Sequence, residues 1–264
     1  VITTLYWALR WRWSLAFLSF VFLFVGTLSV GKYYRIDLKQ DAAGKFPKRA
    51  LKVMSYNIAN SNSTSLVDSI ASHRPTILCL QEYQAGGEEA WRRLGEKYTT
   101  TANSKSDFSC EIFTNQRIIK QGKIDSLPRF NAIWADILVD RDTIRVVNLH
   151  LQSTTITAQD MAFVEGHKYV LDSARNHKIK RITDKLVENT IYRSNQAEKV
   201  REFIDKNAGK KMIVCGDFND VPLSYSYNII AEPLINTFAE AGSGYTYTFD
   251  GFFKLMAIDH LLVS

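Results

Sequence analysis

Cysteine is scarce: Cys79, Cys110 and Cys215 are the only three in 264 residues, each inside or beside an apolar run. An odd count with no close pairing excludes a disulfide framework and leaves small buried hydrophobes as the reading. The sequence has no CxxC pair and no HExxH, so both common zinc signatures are missing. There is no internal repeat and no low-complexity tract. Nor is there an excess of one charge where it would count most. The formal net charge is +6, yet residues 1–50 hold eight Lys or Arg against two Asp, and the other 214 residues carry 25 charges of each sign. The basic character belongs to the N-terminal segment and is not the footprint of a nucleic acid on the main domain. With 46% hydrophobic and 23% charged residues, disorder is excluded as well.

The longest uncharged stretch runs from Trp13 to Val30. Its length is at the lower end of a membrane span, and Trp7, Trp11 and Trp13 on one side and Tyr33 and Tyr34 on the other resemble an interfacial aromatic belt. A transmembrane helix over about 13–30 is therefore expected, within a membrane segment of residues 1–35. No small-residue cleavage pattern follows, which argues against a signal peptide. Local charge counting favours a cytoplasmic domain. The chain opens on Val1, however, and upstream spans would make Arg10 and Arg12 an inner loop and turn the domain outward. The expectation is an enzyme anchored in a bacterial inner membrane and facing outward. Residues 36–50, polar with Gly44 and Pro47, read as a linker, and residues 51–264 as the catalytic domain.

From residue 51 onward strand-like and helical pieces alternate. Strands are expected at 51–57, 76–82, 109–114, 131–139, 143–150, 211–216 and 257–263. Helices are expected at 64–72, 87–96 and across about 158–207, where Gln196 to Ile204 is clearly amphipathic. Its basic excess over 165–201 is read as a solvated face. This mixture points to α/β or α+β layering around one sizeable core.

Five of the strand-like runs deliver polar groups at one end: Asn57, Glu82, His150, Asp217 and the pair Asp259 and His260. Unpaired buried charge costs several kcal/mol, so a buried strand does not usually stop on a carboxylate without reason. One polar site at one edge of a sheet accounts for all five. Cleaving a phosphoester requires a cation for the phosphoryl oxygens, a base for water and donors for the transition-state charge. Glu82 suits a hard cation such as Mg²⁺, with Mn²⁺ as a possible substitute. Asp217 and Asn219 can set a base beside an amide donor. Asp259 next to His260 lets a carboxylate fix an imidazole's tautomer.

The runs SYN (55–57), LQE (80–82), NLHL (148–151), GDFND (216–220) and IDH (258–260) resemble, in order and spacing, the endonuclease/exonuclease/phosphatase superfamily. The resemblance covers residues 51–264. It implies a deoxyribonuclease I-like α/β fold, a four-layer sandwich of two mixed β-sheets flanked by helices, here preceded by the transmembrane helix. It also implies roles. Glu82 would be the main metal ligand, with Asn57 and Asp259 at the metal. Asn57 and Asn148 would contact substrate. Asp217 would orient or deprotonate water, Asn219 and His150 would hold phosphoryl oxygens, and His260, oriented by Asp259, would meet the phosphate. The chain departs from the family at Thr114 to Ile119, where many members carry a Ser-Arg/Lys-x-Pro-Ile stretch. It also carries Asp-His where membrane-spanning relatives have Arg-Ile-Asp-Tyr. The stretch Asp220 to Tyr227 resembles the bacterial membrane-anchored subfamily. Asp220 itself reads as a turn or cap residue.

The expected activity is Mg²⁺-dependent hydrolysis of a phosphoester, of phosphodiesterase or nuclease type. The alternatives are a lipid or inositol phosphate phosphodiesterase or phosphatase, and an inactive membrane-tethered binding module. Expected partners are a phosphoester substrate (nucleic acid, phospholipid or sugar phosphate) and a lipid bilayer through the N-terminal helix. No protein partner is implied.

Overall fold

Strand alternation decides the layering in this computed structural model. It describes residues 2–35, 50–84, 91, 93–94, 96–101, 109–124, 130–157, 159–160, 163, 173–250 and 255–264. The expected linker, apart from residue 50, lies outside the described residues, as do parts of the helices expected at 87–96 and 158–207.

Two mixed sheets form the body. One has four strands in the order β2 (Val53–Asn57), β3 (Ile77–Tyr83), β5 (Ser109–Thr114), β4 (Thr99–Thr100), with β2 and β3 parallel. The other has six, in the order β10 (Ile235–Asn236), β12 (Asp259–Val263), β9 (Met212–Asp217), β8 (Asp142–His150), β7 (Asn131–Val139), β6 (Arg117–Lys123); only β8 and β9 are parallel. All seven expected strands are present, shifted by a residue or two at their ends.

Successive strand residues face opposite sides, and three apolar layers follow. Ile77 and Cys79 meet Val146, Ile213 and Cys215 between the two sheets. Leu78 and Leu80 face the other way, against Val67 and Ile70 of α3 (Thr64–Ser72) and against Trp91. On the far side of the six-stranded sheet, Val147, Leu149 and Val214 pack on Ala197, Val200 and Ile204 of α4 (Ser173–Lys206) and on Tyr227 and Ile230 of α5 (Tyr225–Ala231). The result is helix, sheet, sheet, helix. All three cysteines are buried and free; burial pushes the Cys110 thiol well up, and Cys79 rises through its contact with Cys215.

The N-terminal segment forms a helical hairpin, α1 (Ile2–Leu9) against α2 (Trp13–Val30). Phe17, Phe20, Phe22 and Phe24 are exposed on α2. The helix expected over 13–30 is therefore formed. Among the described residues no helix is long and apolar enough to cross a membrane. After the hairpin, β1 (Tyr34–Arg35) pairs with β11 (Gly244–Tyr245), a short strand just after α6 (Thr237–Ala241). Lys32 Nζ donates to Pro222 O (3.2 Å) and Asn228 Oδ1 (2.8 Å), so the hairpin is tied to the body.

Candidate active site

The inter-sheet layer opens at the C-terminal ends of β2, β3, β8 and β9 and the start of antiparallel β12. Asn57, His150, Asp217 and Asp259 share the parity of the inter-sheet residues on their strands, so alternation delivers them to this opening. Glu82 has the opposite parity and is re-aimed. The β3–β5 register slips between Leu80 and Tyr83, and Glu82 takes φ +53°. A bulge with a left-handed residue is the device that turns a side chain to the other face. Asn219 (φ +49°) and Thr155 (φ +53°) also line the cleft in left-handed conformations. Backbone strain therefore gathers where the polar groups meet. Gly216, one residue before Asp217, has φ +138°, and a Cβ there would lie 1.9 Å from Leu149 O. Only glycine lets β9 approach β8 this closely just before its carboxylate.

Asn57 is the hub. Its Nδ2 donates to Glu82 Oε1 (3.0 Å) and to Asp217 Oδ2 (2.9 Å), while its Oδ1 accepts from Ala59 N (2.9 Å). His150 Nε2 stands 3.8 Å from Glu82 Oε1 and 3.9 Å from Asp217 Oδ2. It is buried without a hydrogen-bond partner, as is Asp259 Oδ1. Burial pushes the Asp217 carboxyl above its ordinary range, with nearby Glu82 adding to the rise and His150 and the amides of Asn57 and Asn219 opposing it. Burial, with the neighbouring Asp217 charge, raises Asp259 to about 7. Both carboxyls therefore resist ionisation beside Glu82, chiefly because they are buried.

Three sequence expectations need correcting. His260 does not face the cleft. Strand parity sends it to the opposite side from Asp259, where it lies edge-on to Phe218 (5.0 Å) and Tyr227 (4.6 Å). Its Nε2 is 2.9 Å from Asp220 O, and burial lowers its pKa to about 4. It is a neutral core residue, and Asp259 cannot be its orienting partner. Asn148 is fully buried; its Oδ1 accepts from Gln81 Nε2 (2.6 Å) and its Nδ2 donates to Leu80 O and Glu111 O (both 2.9 Å). It joins the two sheets and has no group left for substrate. Asp259 stands beside Asp217, its partner across β12 and β9, and lines the same cleft. What Glu82 and Asp217 offer, with the Asn57 amide N–H groups orienting both, is a partial oxygen shell, and Mg²⁺ suits such a shell because it keeps several waters and takes one or two carboxylates plus substrate oxygens.

Asn219 lines the cleft, with its N–H donating to Asp217 Oδ1 (2.7 Å) and its Nδ2 to Leu151 O (3.0 Å). Asp220 accepts from Val221 N (3.0 Å), as a turn residue should, and also from Arg193 Nε (3.0 Å). Sequence reasoning missed the rest of the cleft, a hollow of about 770 Å³ also lined by Tyr56, Ser153, Thr154, Thr155, Tyr247, Thr248 and Phe249. A signal for the last three was present. Tyr245-Thr246-Tyr247-Thr248-Phe249 alternates aromatic and hydroxyl residues with the period of a strand.

Paired mixed sheets with carboxylates, an amide and an imidazole converging at their open edge define a phosphoester hydrolase of the α/β sandwich class. The profile of the Endonuclease/Exonuclease/phosphatase family matches residues 54–264, and the chain belongs to that family. No curated protein matches the sequence. Solved structures with this fold include truncated TDP2 from Caenorhabditis elegans (TM-score 0.59, 20% identity, 81% of this chain and 83% of that one). The human Nocturnin catalytic domain is similar at TM-score 0.55 and 18% identity, over 81% and 82% of the two chains. A mannosyl-6-phosphatase from Bacteroides thetaiotaomicron gives TM-score 0.55 and 17% identity, over 81% and 85%.

Proposed function

We propose that this chain is a Mg²⁺-dependent phosphoester hydrolase of phosphodiesterase type that works beside a lipid surface. The observation that carries this reading is the Asn57 amide held between Glu82 Oε1 and Asp217 Oδ2, with the orphaned His150 Nε2 behind them. Glu82, oriented by the Asn57 amide, would hold the ion, whose chemistry is to neutralise phosphoryl oxygens and acidify water. Asp217, buried and raised in pKa, takes the proton of the attacking water. The Asn219 N–H fixes which Asp217 oxygen is used, leaving Oδ2 toward Asn57. His150 Nε2 donates to a phosphoryl oxygen, which gives that buried nitrogen its missing partner.

Substitution Asp217→Asn should leave the thermal unfolding curve near wild type and lower turnover by at least 100-fold, since a general base contributes about that factor. Excess chelator should do the same, and Mg²⁺ or Mn²⁺ should restore activity. Wild-type turnover surviving in chelator would end the metal reading. A chain that binds Mg²⁺ yet turns over neither nucleic acid, lipid nor sugar phosphate esters would be the binding module instead.

The lipid surface enters through the uncharged α2, whose exposed phenylalanines have no covering element among the described residues. An apolar face of this kind is stable against hydrocarbon and unstable against water. The outward orientation in a bacterial inner membrane belongs to the same proposal. Protease added to intact spheroplasts should digest the catalytic unit; survival until permeabilisation would put it inside.

A further inference from the structure

The inner end of the cleft is carboxylate, but much of its wall is aromatic. Tyr56, Tyr247 and Phe249 line it while remaining 42%, 50% and 39% exposed. Rings that stay this wet add little to the core, and apolar rings within a cleft are the usual lining of a ligand site.

The wall carrying Tyr247 and Phe249 is fixed from several sides. Thr248 N and Phe249 N both donate to Met256 O (3.0 and 3.1 Å). Thr248 Oγ1 accepts from Ile258 N (2.9 Å) and from Asp259 N (3.0 Å), which couples the wall to the acidic end. The Tyr247 ring stacks on Tyr245 (centroids 6.3 Å, planes at 26°). Tyr245 pairs with Tyr34 through β1 and β11, and Thr246 N donates to Tyr33 O (2.9 Å). The segment that follows the hairpin thus holds the aromatic wall in place. Preorganised rings bind without an ordering cost.

Ser153, Thr154 and Thr155 add hydroxyls to the lining. Asn189 holds that loop, its Nδ2 donating to Thr154 O (3.1 Å) and Thr155 Oγ1 (2.8 Å). Among the described lining residues there is no Lys or Arg, whereas Glu82, Asp217, Asp250 and Asp259 are acidic. Successive phosphates of a nucleic-acid strand need cationic partners and would meet carboxylates here.

We propose that Tyr247, Phe249 and the Ser153–Thr155 loop form a subsite for one neutral, hydroxyl-bearing ring esterified to the scissile phosphate. A hexose and the nucleoside of a single nucleotide share this chemistry. The inference rests on the phosphoester reading above and narrows its substrate.

The test uses the full chain with Mg²⁺. Hexose, nucleoside and glycerol phosphates are compared as monoesters and as methyl diesters, alongside a single-stranded oligonucleotide. Ring-bearing esters should be favoured over glycerol esters. Tyr247→Ala and Phe249→Ala should each reduce that preference about 10-fold through KM, the size of one lost stacking contact, and Tyr247→Phe should restore it. The better of the hexose and nucleoside arms identifies the source of the ring. Equal rates on ring-bearing and glycerol esters, an equal loss on both in the alanine variants, or a preference for the oligonucleotide would each overturn the proposal. If no ester is hydrolysed, the phosphoester reading has failed separately. Calorimetric titration of Asp217→Asn with hexose phosphate, nucleoside monophosphate and glycerol phosphate then decides the subsite: tighter binding of a ring-bearing ligand, weakened by Tyr247→Ala, supports it, and equal binding of all three rejects it.

Discussion

At the scale of single residues, Asp259 and His260 are neighbours with opposite effects on stability. The Asp259 carboxyl sits at about 7 in the fold, above its usual 3.8. Being raised, it contributes stability that is fully present below about 4 and is lost as pH rises toward 7. His260 is lowered from 6.5 to about 4. Being lowered, it contributes stability present above about 6.5 that is lost as pH falls toward 4, worth roughly 3 kcal/mol for that separation. In metal-free protein the two slopes oppose each other between pH 4 and 6.5. Urea unfolding of Asp259→Asn should therefore show stability climbing with pH across this window, and His260→Gln should show it falling. Two variant curves parallel to wild type would refute both assignments.

At the scale of elements, α4 does more than cover a sheet. One polar stripe of it, Asn189, Arg193 and Gln196, is buried and grips the loop that follows β8. Arg193 Nη1 donates to Gln152 O (2.7 Å), its Nε pairs with Asp220, and Gln196 Oε1 accepts from Gln152 N (2.7 Å). Breaking a buried ion pair from one side leaves the other charge uncompensated and costs about 3–5 kcal/mol. Arg193→Ala and Asp220→Ala should each lower the unfolding free energy by about that much. The double variant should lose clearly less than the sum, because the two share one interaction. Strict additivity in urea titrations would mean that the pair is not coupled. This stripe was hidden in the sequence, since a polar position on a polar helix does not announce that a loop will cover it.

At the scale of the whole molecule, the apolar hairpin and the catalytic body are joined by contact as well as by chain. Lys32 reaches Pro222 and Asn228, Arg35 Nη1 donates to Ala239 O, and β1 completes a strand pair with β11. Attachment to a bilayer would thus hold the cleft at a set place relative to the lipid. The full chain should sediment with phospholipid vesicles, and Phe17→Lys with Phe22→Lys should shift it to the supernatant without changing turnover of a soluble ester. A double variant that still sediments with vesicles would show that the hairpin is not the attachment.

The sequence by itself determined the strands, their apolar faces and the polar residues at their ends, because period-two alternation is a local property. It was enough to bring Asn57, His150, Asp217 and Asp259 to one edge. The tertiary structure decided the rest. A bulge at Glu82, set by pairing with β5, turned that carboxylate into the cleft against its parity. The facing of β12 split Asp259 from His260, which adjacency in sequence had made look like a working pair. The second sheet took all of Asn148's hydrogen bonds, and a distant strand pair with Tyr34 fixed the aromatic wall. Each of these depends on which element lies opposite, and a one-dimensional pattern does not carry that information.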